Sequence, residues 1–494
     1  MTTPRIYRGL AHREHAGWLM GLTAPQAIAC VLLAVPAVLA LSAGQLRQAA
    51  LAVVLGGLGI ALVVVPVAGR PAARWVGHWL AHRLGTVTGW SAWQSRAAAG
   101  ECVTLDEPDL PGTLARLSFV DGPVYKDRGR LCLVHDTVEG RWTAVARLTH
   151  RGVGLTSDED RLLLAARLGT LLRAAGHREV LDRLSIYVRT VPDDGAEYEA
   201  WRAAHQVPDA PALAVAATEE LRRTTAVACV RHELFLAASA SEDALRKPAA
   251  AAGGGIAGRA HALYRALDGL EDQLRGLDCT SITWLDGPAL AEAIRTGFNP
   301  LAPRRPDEVD GVPWAKAGPS TAPPPAVRSY THDGHTSVTY SIQMPDEGVL
   351  FGSLAPLLAV KTPGERRALA VHYEPLDARA TRRAVRGDRQ RMTVLRDLKA
   401  RKGFAVTATD DRAAQEAHAH ERAVAAGHSI VRLAAAVTVT VPVGWDVEDA
   451  AAGVENDAAG RFQLLRLELA QDSALVAAAI PVGIGLPRLR GGLL

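Results

Sequence analysis

Residues 28–44 read IACVLLAVPAVLALSAG, and residues 49–67 read AALAVVLGGLGIALVVVPV. The first run extends back to Trp18 without a charge, and only Gln45-Leu46-Arg47-Gln48 separates the two. Each run reaches the ~20 residues that cross ~30 Å of hydrocarbon at ~1.5 Å per residue. So short a turn makes the two helices antiparallel neighbours, which predicts a transmembrane helical hairpin over 18–70. Pro25 falls near the start of the first helix at little cost, whereas Pro36 is interior and predicts a kink. Ala52, Gly56, Gly57, Gly59 and Ala61 supply small-residue spacings that allow close helix contact.

Outward from the hairpin, arginines give an orientation. Arg5, Arg8 and Arg13 precede it, Arg70, Arg74 and Arg83 follow it, and Arg47 alone lies in the turn. The positive-inside rule then expects a multi-pass membrane protein with both termini and the soluble region in the cytoplasm. Residues 1–17 read as a cytoplasmic N-terminal segment. Trp18 stands at the entry of the first helix, and Trp75, Trp79, Trp90 and Trp93 follow the exit of the second. Amphipathic rings prefer the headgroup level, so 71–100 reads as a juxtamembrane interfacial segment in contact with membrane lipid. Within it, PAARWVGHWLAHRLG (71–85) puts Val76, Leu80 and Leu84 on one helical face, with Arg74, His78 and His82 elsewhere. That pattern fits an interfacial helix and fits equally an amphipathic helix packed on the soluble region.

The chain has 494 residues, enough for two or three folded units. A net charge of +3 offers no general argument for nucleic acid binding. The five cysteines, Cys30, Cys102, Cys132, Cys229 and Cys279, are widely spaced and form no CxxC pair. Neither a zinc site nor a disulfide framework is suggested, and buried reduced thiols are expected.

The soluble region mixes strands and helices. TLARLSF (113–119), LCLVHD (131–136) and RWTAVARLT (141–149) read as strands, with a hairpin turn at Glu139-Gly140. Ser157 and Asp160 form a capping pair before the helix DRLLLAARLGTLLRAAG (160–176). The strand RLSIYVRTV (183–191), the helix APALAVAATEELRRTT (210–225) and the strand AVACVRHELFLAAS (226–239) follow. This predicts a cytosolic α+β domain over 101–246 with a mostly antiparallel sheet. Residues 247–328 read as a helical and Pro-rich connection. It opens at GGGIAG (253–258), and Pro300–Pro325 is expected to be an irregular surface link. Strands at 337–345, 366–376, 430–441 and 461–469, with helices at 378–402, 412–426 and 447–459 between them, predict a last unit over 329–494. Its element order suggests a ferredoxin-like split βαβ.

No Walker motif, GxSxG elbow or HExxH pair occurs, so no catalytic, cofactor or metal residues are assigned. The densest titratable cluster is Glu416, His418, His420, Glu421 and His428. His418 and His420, two apart, point in different directions; Glu416 and His420, four apart, could ligate one metal, but two ligands are too few for a site. The helix at 378–402 is strongly basic. Arg379, Arg382, Arg383, Arg386 and Arg389 could form a partner surface for an acidic protein, anionic lipid or nucleic acid. The stripe lacks interleaved aromatics, so single-strand stacking is not favoured.

Three stretches carry a resemblance: SYTHDGHTSVTYSIQMP with FGSLAPLLA (329–359), ERRALAVHYEPLDARATRRAVR (365–386) and LRLELAQDSALVAAAIPVGIGL (465–486). With the hairpin, they resemble an actinobacterial two-span membrane protein family of conjugation, type IV-like secretion clusters. The last stretch is similar to the end of the N-terminal domain of TraC-like conjugation ATPases, without the motor that follows there. The layout is also similar to EccE of type VII secretion. The resemblance implies a non-enzymatic assembly component that forms homo-oligomers and docks secretion or conjugation subunits, including a cytosolic ATPase. A membrane-anchored enzyme with an unrecognised site, or a DNA-handling module using the basic helix, are the alternatives on sequence.

Overall fold

The computed structural model describes residues 24–485 except 68–69, 127–128, 153–155, 179, 193–204, 206, 208–209, 226–229, 301–310, 346–348, 350–351, 377–380, 382–414, 416–421, 423 and 425–429. The helices expected at 378–402 and 412–426 therefore lie outside the described residues, apart from isolated positions.

The chain opens with α1 (Ala24–Ser42), α2 (Leu46–Val64), the strand pair β1 (Pro66–Val67) and β2 (Arg70–Pro71), α3 (Ala72–Thr88) and β3 (Trp93–Gln94). The next half holds β4 (Leu117–Val124), β5 (Arg130–Asp136), β6 (Arg141–His150), α4 (Asp158–Arg178), β7 (Arg183–Pro192), α5 (Ala212–Thr225) and β8 (Val230–Ser241). It continues with α6 (Glu242–Ala251), α7 (Gly255–Gly276), β9 (Cys279–Trp284) and α8 (Gly287–Phe298). The last half holds β10 (Thr321–Ala322), β11 (Tyr330–His332), β12 (His335–Gln343), β13 (Arg366–Pro375), β14 (Val431–Pro442), α9 (Val447–Ala458), β15 (Gln463–Arg466) and α10 (Gln471–Ala479).

Local chemistry sets the element ends. The Ser157 hydroxyl accepts from the Asp160 amide at 3.1 Å, as the capping pair predicts. Asp286 starts α8 the same way, accepting from the Ala289 amide at 2.9 Å. Gly253, Gly254 and Gly255 all have positive φ, so the chain reverses sharply between α6 and α7. A Cβ at Gly258 would sit 2.5 Å from the Ala249 carbonyl oxygen, so only glycine lets these helices meet.

The fold is α+β. Eleven strands form one antiparallel sheet in the order β11-β12-β14-β13-β7-β8-β6-β5-β4, with β15 beside β12 and β9 beside β6. The boundaries expected at 246 and 329 do not divide it. β7 pairs with β13 from Leu184–Tyr373 to Arg189–Ala368, joining the two units into one sheet. Nor is 247–328 a mere connection. Helices α7 and α8 pack in the two cores of the first half, and Val312, Ala315, Ala317 and Ala322 are buried rather than on a surface link. The reason is pairing at a distance: β9 hydrogen-bonds β6, more than a hundred residues earlier, and helices on either side are carried in with it.

The two halves repeat one plan. Strand orders are β9-β6-β8-β7 and β15-β12-β14-β13, both antiparallel throughout. β7 and β13 both have ten residues, begin with Arg and end with Pro, while β8 and β14 both have twelve and begin Val-Arg. The joint falls between equivalent strands.

Alternation assigns the faces. On the first face Arg183, Ser185, Tyr187 and Arg189 of β7 neighbour Arg366, Ala368, Ala370 and His372 of β13, under α8, α10 and residues 480–484. The second face is covered by α4, α6 and α7 over the first half and by α9 over the last. Buried charge on the first face has partners. Arg189 pairs with Glu233 at 2.6 Å and donates to the Ala293 carbonyl of α8 at 2.8 Å and the Ala479 carbonyl of α10 at 3.3 Å. Arg366 donates to the Thr296 and Gly297 carbonyls at the end of α8, where the helix dipole favours a cation. Arg183 bonds Glu374 at 2.9 Å and the Gly483 carbonyl at 3.1 Å.

Arg189→Met leaves Glu233 a largely buried charge facing the more distant, exposed Arg231 at 3.8 Å, and truncation of a buried pair of this kind costs about 3–5 kcal/mol. We expect a matching fall in the urea midpoint. Arg189→Met with Glu233→Met should recover much of it; equal losses in both proteins would show that the carbonyl contacts, not the charge pair, dominate.

Candidate functional site

Helices α1 and α2 pack through small residues. A Cβ added at Gly56 would lie 2.7 Å from the Leu33 carbonyl oxygen, and one at Gly59 would lie 3.1 Å from the Leu33 side chain. Gly57 meets nothing within 4 Å, so the small-residue stripe is only partly used between these helices. The Gln26 side-chain amide donates to the Val63 carbonyl at 3.0 Å, tying the open ends of the pair together. Gly44, at φ +71°, closes the turn, and Pro36 lies inside α1 without ending it.

The rest of this pair is apolar and uncovered. Val31, Leu32, Val38 and Leu39 of α1 and Leu51, Val54, Leu55 and Leu58 of α2 are exposed. Contiguous apolar surface of this kind marks an interaction site rather than a water-facing wall. Among the described residues one helix, Leu46–Val64, is long and apolar enough to cross a membrane, and Gln26–Ser42 is a shorter apolar helix.

The sequence-predicted site residues separate. Trp75 and Trp79 lie one turn apart on α3 and are half-buried, and the Arg83 guanidinium sits over the Trp79 ring at 5.4 Å. Trp90 is exposed and folds back over Gly85. Trp93 departs from its expected place at an interface. It stands in β3, which pairs with β10; its indole donates to the Pro319 carbonyl at 3.1 Å and its ring packs on the core beneath the first face of the large sheet. Its neighbours in sequence gave no hint of β10, 228 residues on. Arg70 pairs with Val67 in the β1–β2 turn and Arg74 lies in the first turn of α3. Trp18, Arg5, Arg8 and Arg13 lie outside the described residues. So do Arg379, Arg382, Arg383, Arg386 and Arg389 of the basic stripe, and Glu416, His418, His420, Glu421 and His428.

Sequence reasoning missed a second group, the polar residues beneath α10. His372 takes a hydroxyl hydrogen bond from Ser185 on Nδ1 at 2.8 Å and donates from Nε2 to the Ala477 carbonyl at 3.1 Å. Burial pushes this imidazole down to about 4, with Arg183 adding to the effect. His332 meets Ser337 at 2.7 Å, and Ser337 meets Thr440 at 2.7 Å. Burial holds His332 well below the usual histidine range. Both serines are fully buried, and the His372 contact with the Ala477 carbonyl fastens α10 to β13. The available signal was the alternation in RRALAVHY, which puts Arg366 and His372 in phase with buried Ala368 and Ala370. Burial also raises the thiol of Cys279 to about 11 and that of Cys132 further, whereas Cys102 is exposed. Among the described residues no group of three or more His, Cys, Asp or Glu could hold a metal ion. No protein-family model matches this chain, and no curated protein matches it.

The histidines give a pH dependence. Folded His372 stays neutral down to about pH 4, while unfolded it takes a proton below its ordinary 6.5. Its contribution is complete above 6.5 and is lost as pH falls toward 4, on the order of 3 kcal/mol in all. The urea midpoint should fall between about pH 7 and pH 5, where carboxylates remain ionised. His372→Asn should flatten that slope, and an unchanged slope would show that His372 titrates alike folded and unfolded.

Proposed function

We propose that this chain is a membrane-anchored, non-enzymatic assembly component of a bacterial conjugative or secretion apparatus. The anchor is the α1–α2 pair, read as a transmembrane hairpin. The observation that carries this reading is the outward apolar surface of the pair, which the soluble body leaves uncovered although the two helices pack tightly against each other. Water solvates that surface at a cost of roughly 25 cal/mol per Å², and hydrocarbon removes the cost.

Each half of the body is proposed to be a ferredoxin-like unit. The order β9-β6-β8-β7, with α4 between the first two strands in sequence and α6–α7 between the last two, supports this for the first half. The last half has the same order, with a short turn at Ala355–Leu358 in place of the first helix. The resemblance to conjugation and type VII components, and to the motor-less end of TraC-like ATPases, supplies the partner class: a cytosolic ATPase and further subunits of the apparatus, on the inner face of the cell membrane. The buried Ser, His and Arg groups that bond strands to covering helices suit a rigid scaffold.

Two measurements test this reading. Expressed in a bacterium, the full chain should stay in the membrane fraction through an alkaline carbonate wash, and deleting residues 24–64 should release it. Purified from its native membrane in detergent, it should carry an ATPase partner. A carbonate-soluble full chain removes the anchor, and a monodisperse monomer without partners removes the assembly role.

A further inference from the structure

Helix α3 is amphipathic, and its aliphatic stripe is turned away from the body, whereas Trp75, Trp79, His82 and Gly85 are its more buried positions. Val76, Leu80, Leu84 and Val87 recur at spacings of four, four and three, which places them within roughly 80° of arc at ~100° per residue. They are 37%, 50%, 62% and 84% exposed. On the other side, a Cβ at buried Gly85 would meet the Trp90 ring at 3.1 Å and Ser91 at 3.3 Å. Half-buried His82 lies close enough to Asp472 of α10 to favour that carboxylate's ionised form, against the burial that raises it. A helix packed on a soluble core buries its aliphatic stripe; here the tryptophans are half-buried and the aliphatic stripe stays exposed.

Position and charge say what covers the stripe. The Ala72 amide donates to the Val65 carbonyl at 2.9 Å, so α3 starts where α2 ends, at the level where a spanning helix leaves the hydrocarbon. Exposed Arg83 borders the stripe, with its guanidinium over Trp79, placed to rise toward headgroups while its stem lies along apolar surface. The stripe follows the uncovered hairpin after only the short β1–β2 turn.

We propose that α3 lies in the plane of the bilayer, with Val76, Leu80, Leu84 and Val87 buried at the boundary between headgroups and acyl chains. This inference rests on the membrane reading of α1 and α2. An in-plane helix buries its apolar face ~5–10 Å deep.

The test uses the full chain in phospholipid vesicles. In a Cys30→Ala, Cys102→Ser, Cys229→Ser background, buried Cys132 and Cys279 are shielded from a thiol-reactive fluorophore. Single labels go at Leu80→Cys, Leu84→Cys and Val87→Cys on the stripe, His78→Cys on the opposite side, and Val54→Cys and Leu58→Cys in α2. Brominated acyl chains should extinguish the three stripe labels and the two α2 labels, and aqueous iodide should extinguish the His78 label. Stripe labels extinguished by iodide, with α2 labels extinguished by bromolipid, overturn the inference and leave the hairpin standing. Stripe labels reached by neither quencher mean that protein, such as a second copy, covers the stripe, and they overturn it too. Loss of bromolipid quenching at Val54 and Leu58 removes the membrane reading and this inference together.

Discussion

Six residues of β7, in antiparallel register with six of β13, hold the body together. Without that pairing each half would end in an exposed strand edge carrying unsatisfied backbone groups. It also brings Arg183, Arg189 and Arg366 onto one covered face. Burial lowers Arg189, and burial with the nearby Arg189 charge lowers Arg366 to about 9. What keeps such a seam tolerable is the set of acceptors aimed at it. Glu233 and Glu374 supply charge, and the final carbonyls of α8 and the carbonyls of α10 and Gly483 supply dipoles. The arginines satisfy helix ends that would otherwise be orphaned, and the helix ends satisfy the arginines. Neither can be placed before the other, so the strand joint and the two covering helices are one cooperative unit.

The same joint explains what the sequence could and could not disclose. Strands and helices were legible singly: LCLVHD, RWTAVARLT and RLSIYVRTV became β5, β6 and β7 with small shifts, and Ser157 capped α4. Pairing was not. Alternation tells which residues share a face, but not that β9 returns to β6 or that β7 meets β13. The segment 247–328 thus read as a connection, although α7, β9 and α8 complete the first half. The repeat hid for a related reason. Its halves share strand lengths and order rather than residues, and the first keeps α4 where the last has only a short turn.

Candidate-site residues divided along the same line. The hairpin helices were readable because apolarity is a local property. Trp93 was misread because a tryptophan near a hydrophobic segment looks interfacial until β10 is brought to it. Arg366 and His372 did not stand apart in the sequence, because both phases of β13 are buried. Sheets covered on two faces lose the polar-out signal that single-sequence reading depends on.

α3 and α10 connect these two stories. α10 runs Ala474, Leu475, Val476, Ala477, Ala478, Ala479, a nearly flat surface that can approach a face carrying Ser185, Thr339, Thr438 and His372. Gln471 fastens its first turn, accepting from the Thr339 amide at 2.8 Å and donating to the Thr339 and Leu467 carbonyls. One residue on, Asp472 lies in the electrostatic reach of His82 of α3, and burial pushes its carboxyl up. The element that closes the charged seam therefore begins near α3. Its first turn is fastened to β12 by buried hydrogen bonds rather than carried on a loop. On the proposed membrane reading, a rigid part of the body, not a flexible one, is what lies nearest to α3.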